Sequence, residues 1–179
     1  MRKMISILLI VGLMVGGLVV KASVADNDAF TITVTVDSTL TILCKQLDGT
    51  TAYGTWAIGA KALNTATTMT SVQGVMIKNT STVKIDLKGG ASGATVWTAG
   101  AATAQDVYTL RLKGFTVAGN PGDLSAETAV TSATPFYNEG GAGIPNATDR
   151  YVYAELKTPT ISTTGLVQSI TATITASIH

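Results

Sequence analysis

Histidine and cysteine occur once each, proline four times, and aromatic residues make up 6% of the 179-residue chain. Each shortage closes off a chemistry. A nucleophilic triad needs an imidazole held in place by a third group, and the single histidine, His179, is the last residue. One cysteine and one histidine cannot fill a tetrahedral zinc site, and Cys44 alone cannot make an intramolecular disulfide. Gly140-Gly141-Ala142-Gly143 follows neither a clean strand nor a helix start, so it is not a phosphate loop. Charged residues are only 13% of the chain, and twelve basic against eleven acidic groups leave +1. Nucleic acid finds no basic field in such a balance. With 46% hydrophobic residues the chain is not disordered either.

What is abundant is threonine, thirty residues, with eighteen glycines. Thr, Val, Ile and Gly together favour strands and turns over helices. The first segment has the layout of an export signal. Arg2 and Lys3 precede a charge-free, largely apolar stretch of sixteen residues, Ile5 to Val20, and Ser23-Val24-Ala25 supplies the small residues that a signal peptidase reads. Sixteen residues fall short of the ~20 that span a bilayer. Residues 1–25 are therefore expected to be removed, leaving one domain over 26–179 that is secreted or held at the cell surface, without a membrane span. Removing Arg2, Lys3 and Lys21 leaves nine basic and eleven acidic groups, a net charge of 9 − 11 = −2.

Alternation with period two marks the strands. Phe30, Ile32, Val34 and Val36 share one face opposite Thr31, Thr33 and Thr35. Leu40 to Lys45 is expected as a strand with Cys44 buried alongside Leu40 and Ile42. Val72–Lys78 and Val83–Leu87 read as an antiparallel hairpin broken afterwards by Gly89-Gly90. Tyr108, Leu110 and Leu112 define a strand closed by Gly114, with Phe115 to Val117 either its continuation past a bulge or a short separate strand, and Tyr151–Leu156 one with apolar bulk on both faces. Ile170 to Ile178 is a long Thr/Ile/Ala strand. Residues 61–71 read as loop or short helix, and 124–144 as a long loop of the kind that carries sites. With eight to ten such strands and no sustained helical period, the expected fold is all-β: an antiparallel, two-sheet, Ig-like sandwich.

Candidate chemistry is thin. Asp106, Glu127, Glu139 and Asp149 are loose candidates for a carboxylate pair of the glycoside-hydrolase kind. Asp26-Asn27-Asp28 and the Asn120/Asp123 turn offer oxygens to calcium without the spacing of an EF-hand. Trp56, Trp97, Tyr137, Tyr151 and Tyr153 either pack a core or stack on sugar rings. Asn79-Thr80-Ser81 and Asn146-Ala147-Thr148 match the N-glycosylation pattern. Nothing here calls for a catalytic residue, a cofactor or a metal ion, and the reading is of a protein that is not an enzyme.

The order of features carries a resemblance: a leader, an alternating strand, Val72 to Ser81 with Gly74-Val75-Met76-Ile77-Lys78-Asn79, Trp97, Tyr108-Thr109-Leu110, and a closing Thr173-Ile174-Thr175-Ala176. In this it resembles Ig-like β-sandwich proteins exported by bacteria and archaea, and distantly the TasA/camelysin biofilm-fibre subunits and archaeal bundling pilins. The resemblance implies a structural or adhesive surface protein whose partner is another copy of itself. It further implies that the mature N-terminal segment, Asp26 to Val36 with Phe30, Ile32, Val34 and Val36, is the strand donated to the next subunit. The alternative function class is a secreted module that binds carbohydrate or another ligand through residues 120–148 and exposed aromatics.

Overall fold

Strict alternation in Tyr108-Thr109-Leu110-Arg111-Leu112 forces one face of an extended chain to be apolar, and a sheet is the structure that buries such a face. The computed structural model describes residues 19–21, 29–31, 39–92 and 95–179. They fall into two units, 1–37 and 38–179. In the first, β1 (Val19–Lys21) pairs antiparallel with β2 (Ala29–Thr31), Val20 opposite Phe30.

The second unit is all-β with two sheets. Its strands are β3 (Ile42–Lys45), β4 (Ala66–Thr68), β5 (Val75–Asn79), β6 (Ile85–Ser92), β7 (Thr98–Ala99), β8 (Val107–Phe115), β9 (Thr134–Tyr137), β10 (Asp149–Lys157) and β11 (Thr171–Ile178). A six-stranded sheet runs β3-β5-β10-β8-β7, with β4 beside β5 on the same edge of β10. A three-stranded sheet runs β11-β6-β9. All pairings are antiparallel except β7 with β8. A 3-10 turn at Glu139–Gly141 is the one helical element among the described residues, none of which forms a helix long and apolar enough to cross a membrane.

The core lies between the sheets. Tyr108, Leu110 and Leu112 of β8 are in register with the same face of β10, where Val152, Ala154 and Leu156 are buried. Ile85 and Leu87 of β6 close it from the other sheet, and Leu124, Val130 and Ile144 fill it from the connections. The Tyr108 hydroxyl reaches through the core to donate to Ser92 O at 2.9 Å.

Four expectations are corrected. The Val72–Leu87 segment is not a hairpin: β5 belongs to the six-stranded sheet and β6 to the three-stranded one, so residues 80–84 carry the chain across the core. Alternation assigns faces, not partners, and here Asn79 makes the crossing. Its Nδ2 donates to Val83 O (3.0 Å) and Ile144 O (2.9 Å), while its Oδ1 accepts from Ser81 N (2.8 Å). Secondly, Gly89-Gly90 and Gly114 do not end strands but sit inside β6 and β8. A Cβ on Gly114 would stand 2.2 Å from Tyr137 Cγ, and one on Gly89 2.7 Å from Leu112 Cδ1. These glycines are notches that let side chains from β8 and β9 lie against backbone.

Thirdly, Cys44 is exposed, not buried: it faces the core side, opposite Ile77, but β3 is an edge strand with no strand beyond it. The packing around its sulfur is still enough to push the thiol pKa up by desolvation. Finally, residues 61–71 hold strand β4, and the stretch read as loop, 124–144, contains β9 and the 3-10 turn.

Candidate functional site

Of the four residues expected to form an assembly strand, Phe30 lies in β2 and Ile32, Val34 and Val36 lie outside the described residues. The leader expected over 1–25 is described only at β1. The Asp26-Asn27-Asp28 oxygens are likewise outside the described residues.

The aromatic candidates are drawn into packing. Tyr153 is 1% exposed, edge-on to Phe115 with centroids 5.6 Å apart. Its hydroxyl accepts from Gly119 N (3.0 Å) and donates to Ser71 O (3.3 Å), pinning two loops over the outer face of the six-stranded sheet. Trp97 donates from Nε1 to Ser162 Oγ at 2.9 Å. Trp56, Trp97, Tyr137 and Tyr151 are half-buried against the core.

Three of the four candidate carboxylates have separate local roles, and no two of the four carboxylate groups share a hydrogen-bond partner. Asp106 accepts from Thr163 Oγ1 (2.6 Å) and N (2.8 Å), and these bonds lower its pKa. Glu127 pairs with Lys113 at 2.8 Å, and Glu139 with Arg150. Asp149 has one oxygen, Oδ1, buried without a hydrogen-bond partner. At the Asn120/Asp123 turn, Asn120 Oδ1 accepts from Gly122 N, and the Asp123 carboxylate accepts from Ser125 N and Oγ. Those oxygens cap a turn. Among the described residues no group of three or more His, Cys, Asp or Glu side chains is arranged to hold a metal ion.

Asp48 makes the same kind of turn more strongly. Its carboxylate accepts from Thr51 Oγ1 (2.6 Å), Thr51 N (2.9 Å) and Thr50 N (2.8 Å). Those bonds, the Thr51 hydroxyl foremost, hold its pKa down at about 2. A depressed folded-state pKa stabilises the turn above the ordinary carboxylate range of ~4 and stops doing so as pH falls through about 2. In an acid titration followed by NMR, the Thr50 and Thr51 amide signals should hold their positions at pH 4 and move near pH 2. Movement centred at pH 4 would show that the cap does not form.

A buried polar cluster escaped the sequence reading. Arg111 and Glu155 stand directly opposite on β8 and β10, on the face away from the core. Arg111 Nη1 donates to Glu155 Oε1 (3.2 Å) and to Thr109 Oγ1 (3.4 Å), and Nε donates to Glu127 O (3.1 Å). Thr68 Oγ1 on β4 donates to the other Glu155 oxygen at 3.1 Å. The Glu155 side chain is 4% exposed. Both charges are committed, so this is a clasp joining β4, β8, β10 and the 127 segment. A signal was present: Glu155 lies between Ala154 and Leu156 in a strand apolar on both faces, which demands a cation opposite it.

A groove of about 460 Å3 lies over Asp86, Lys88, Glu127, Phe136, Tyr137 and Ser177. His179 docks near it. Its Nδ1 is 2.8 Å from Asp86 Oδ1, and its backbone N donates to Lys84 O at 3.1 Å. Its ring lies on Gly143, whose φ of +68° and missing Cβ (which would be 2.5 Å from His179 Cγ) both require glycine. No family model, no curated protein and no solved structure matches this chain.

Proposed function

We propose that this is an exported structural or adhesive surface protein of the Ig-like sandwich kind, whose copies join by exchanging the strand that carries Phe30, Ile32, Val34 and Val36. The observation that carries the reading is the pairing of β2 with β1. The expected cut after Ala25 falls between them, so processing removes the partner of Phe30 and frees one side of its ladder. Neither sheet of the second unit uses a described residue before Ile42 as a strand. A freed strand of alternating Thr and large apolar residues gains a full set of backbone bonds by adding to another molecule's sheet. The commitment of Asp106, Glu127, Glu139 and the aromatic rings to turns, ion pairs and packing agrees with a scaffold role.

The test is electron microscopy and light scattering on secreted material. Wild type should form filaments or large assemblies, and Ile32→Asp with Val34→Asp should stay folded but lose them. Wild type that shows neither filaments nor large assemblies overturns strand exchange. The alternative, a secreted ligand- or carbohydrate-binding module, would use the groove at Phe136 and Tyr137. It takes over if assemblies are absent and a soluble glycan shifts the NMR signals of those two rings.

A further inference from the structure

An open strand edge presents a row of unpaired N–H and C=O groups, and proteins usually guard it with charge, proline, a bulge or shortness. Four edges of this unit are guarded. β9 carries Pro135 and a register shift against β6, β3 is four residues ending on Lys45, β4 is three residues and β7 is two. The fifth is not. β11 is eight residues long, its one ladder partner among the described residues is β6, and Thr171–Ile178 contains no charge, proline or glycine.

The sequence of this edge reads nearly the same in both directions. Ile170-Thr-Ala-Thr-Ile174-Thr-Ala-Ser-Ile178 is a palindrome about Ile174, broken only by Thr171 against Ser177. Antiparallel self-pairing about a two-fold axis through Ile174 therefore sets like against like. Thr173 faces the partner's Thr175, Ala172 the partner's Ala176, and Ile170 the partner's Ile178. All paired residues fall on the same side of the sheet, as a continuous ladder demands. Hydroxyl and β-branched cross-strand pairs of this kind are favourable. Ile178, 59% exposed, gains a neighbour in the partner's Ile170.

We propose that β11 is a homodimer interface: two copies pair edge to edge through β11, centred on Ile174, joining their three-stranded sheets into one of six strands. The occupant is a second copy because the edge is its own complement, as an isologous contact requires. This pairing does not depend on the N-terminal strand.

The test removes the other route to assembly first. In the Ile32→Asp/Val34→Asp background, sedimentation over a range of concentrations should show a dimer that dissociates on dilution. Thr173→Lys with Thr175→Lys sets like charges opposite each other across the axis and should leave only monomer. Thr173→Lys with Thr175→Glu sets opposite charges there and should restore the dimer, more weakly as salt rises. Both threonines are exposed; because Thr175 lies opposite Lys88 of β6 in the same chain, the fold of each variant is checked separately by far-ultraviolet circular dichroism and a urea midpoint. A background protein that stays monomeric at every concentration overturns the β11 dimer while leaving strand exchange standing. A dimer that survives Thr173→Lys/Thr175→Lys overturns it equally.

Discussion

Replacing Asn79 with Ala should cost about 3–5 kcal/mol, because Val83 O and Ser81 N lose their partner and Ile144 O loses one of its two donors at once. Asn79 is wholly buried, and its amide serves Val83 O, Ile144 O and Ser81 N. Its main chain is tied as well, donating to Thr148 O and accepting from Ala147 N. Ser81, also wholly buried, passes the connection on: its Oγ donates to Thr41 O and accepts from Thr41 N, anchoring the approach to β3. Alanine keeps the backbone bonds but leaves Val83 O and Ser81 N without a partner, while Ile144 O retains only its bond from Ile85 N. The measurement is a urea midpoint with unchanged m-value. The second glycosylation motif supplies the contrast. Asn146 is exposed and its amide reaches only Ser81 O, so Asn146→Ala should cost about 1 kcal/mol or less. Equal costs at the two positions would refute the bridging role of Asn79. The same geometry keeps Asn79 Nδ2 out of reach of a glycosylating enzyme once the chain has folded.

Arg111→Met should be of similar size, about 3–5 kcal/mol, since it strands the Glu155 carboxylate at 4% exposure without its cation. The cost comes from orphaning a charge, not from the worth of the pair, and the two are separable. Adding Glu155→Leu to Arg111→Met removes the orphan and should recover most of the loss, as apolar replacements of buried pairs commonly do. Denaturation of both variants beside wild type checks this. A double variant no more stable than the single one would show that packing of the arginine stem, not the stranded charge, sets the cost.

Both residues sit where the sequence was hardest to read. Strand positions were legible wherever one face was apolar and the other polar: Tyr108 to Leu112, Ile85 to Leu87 and Thr171 to Ile178 all lie in strands. The two-sheet all-β architecture followed from that pattern. Partners did not follow, because alternation is silent on which strand lies alongside. Asn79 looked like a turn residue in a hairpin and is instead the pivot between sheets. Gly89 and Gly114 looked like breaks, since a glycine's local preference is for turns, while tertiary packing uses their missing side chains. Cys44 looked buried because its neighbours alternate, but an edge strand covers its residues less than a central one. The candidate carboxylates were visible as residues and misleading as a group, because sequence cannot tell a turn cap from an acid held in a cleft.

The crossing at residues 80–84 has a kinetic consequence. With β5 and β6 in different sheets, they do not pair with each other: β5 has β3 behind it on one side but waits for Arg150 and Tyr151 on the other, and Ile85 of β6 waits for Ile178. Long-range antiparallel closure of this kind makes folding slow, because the loop entropy is lost before the contacts form. A chain crossing a membrane amino-end first would thus remain without its three-stranded sheet until β11 had followed. Under the proposed export such a delay would keep the chain threadable, and it leaves β6 and β11 open to whatever other strand is near.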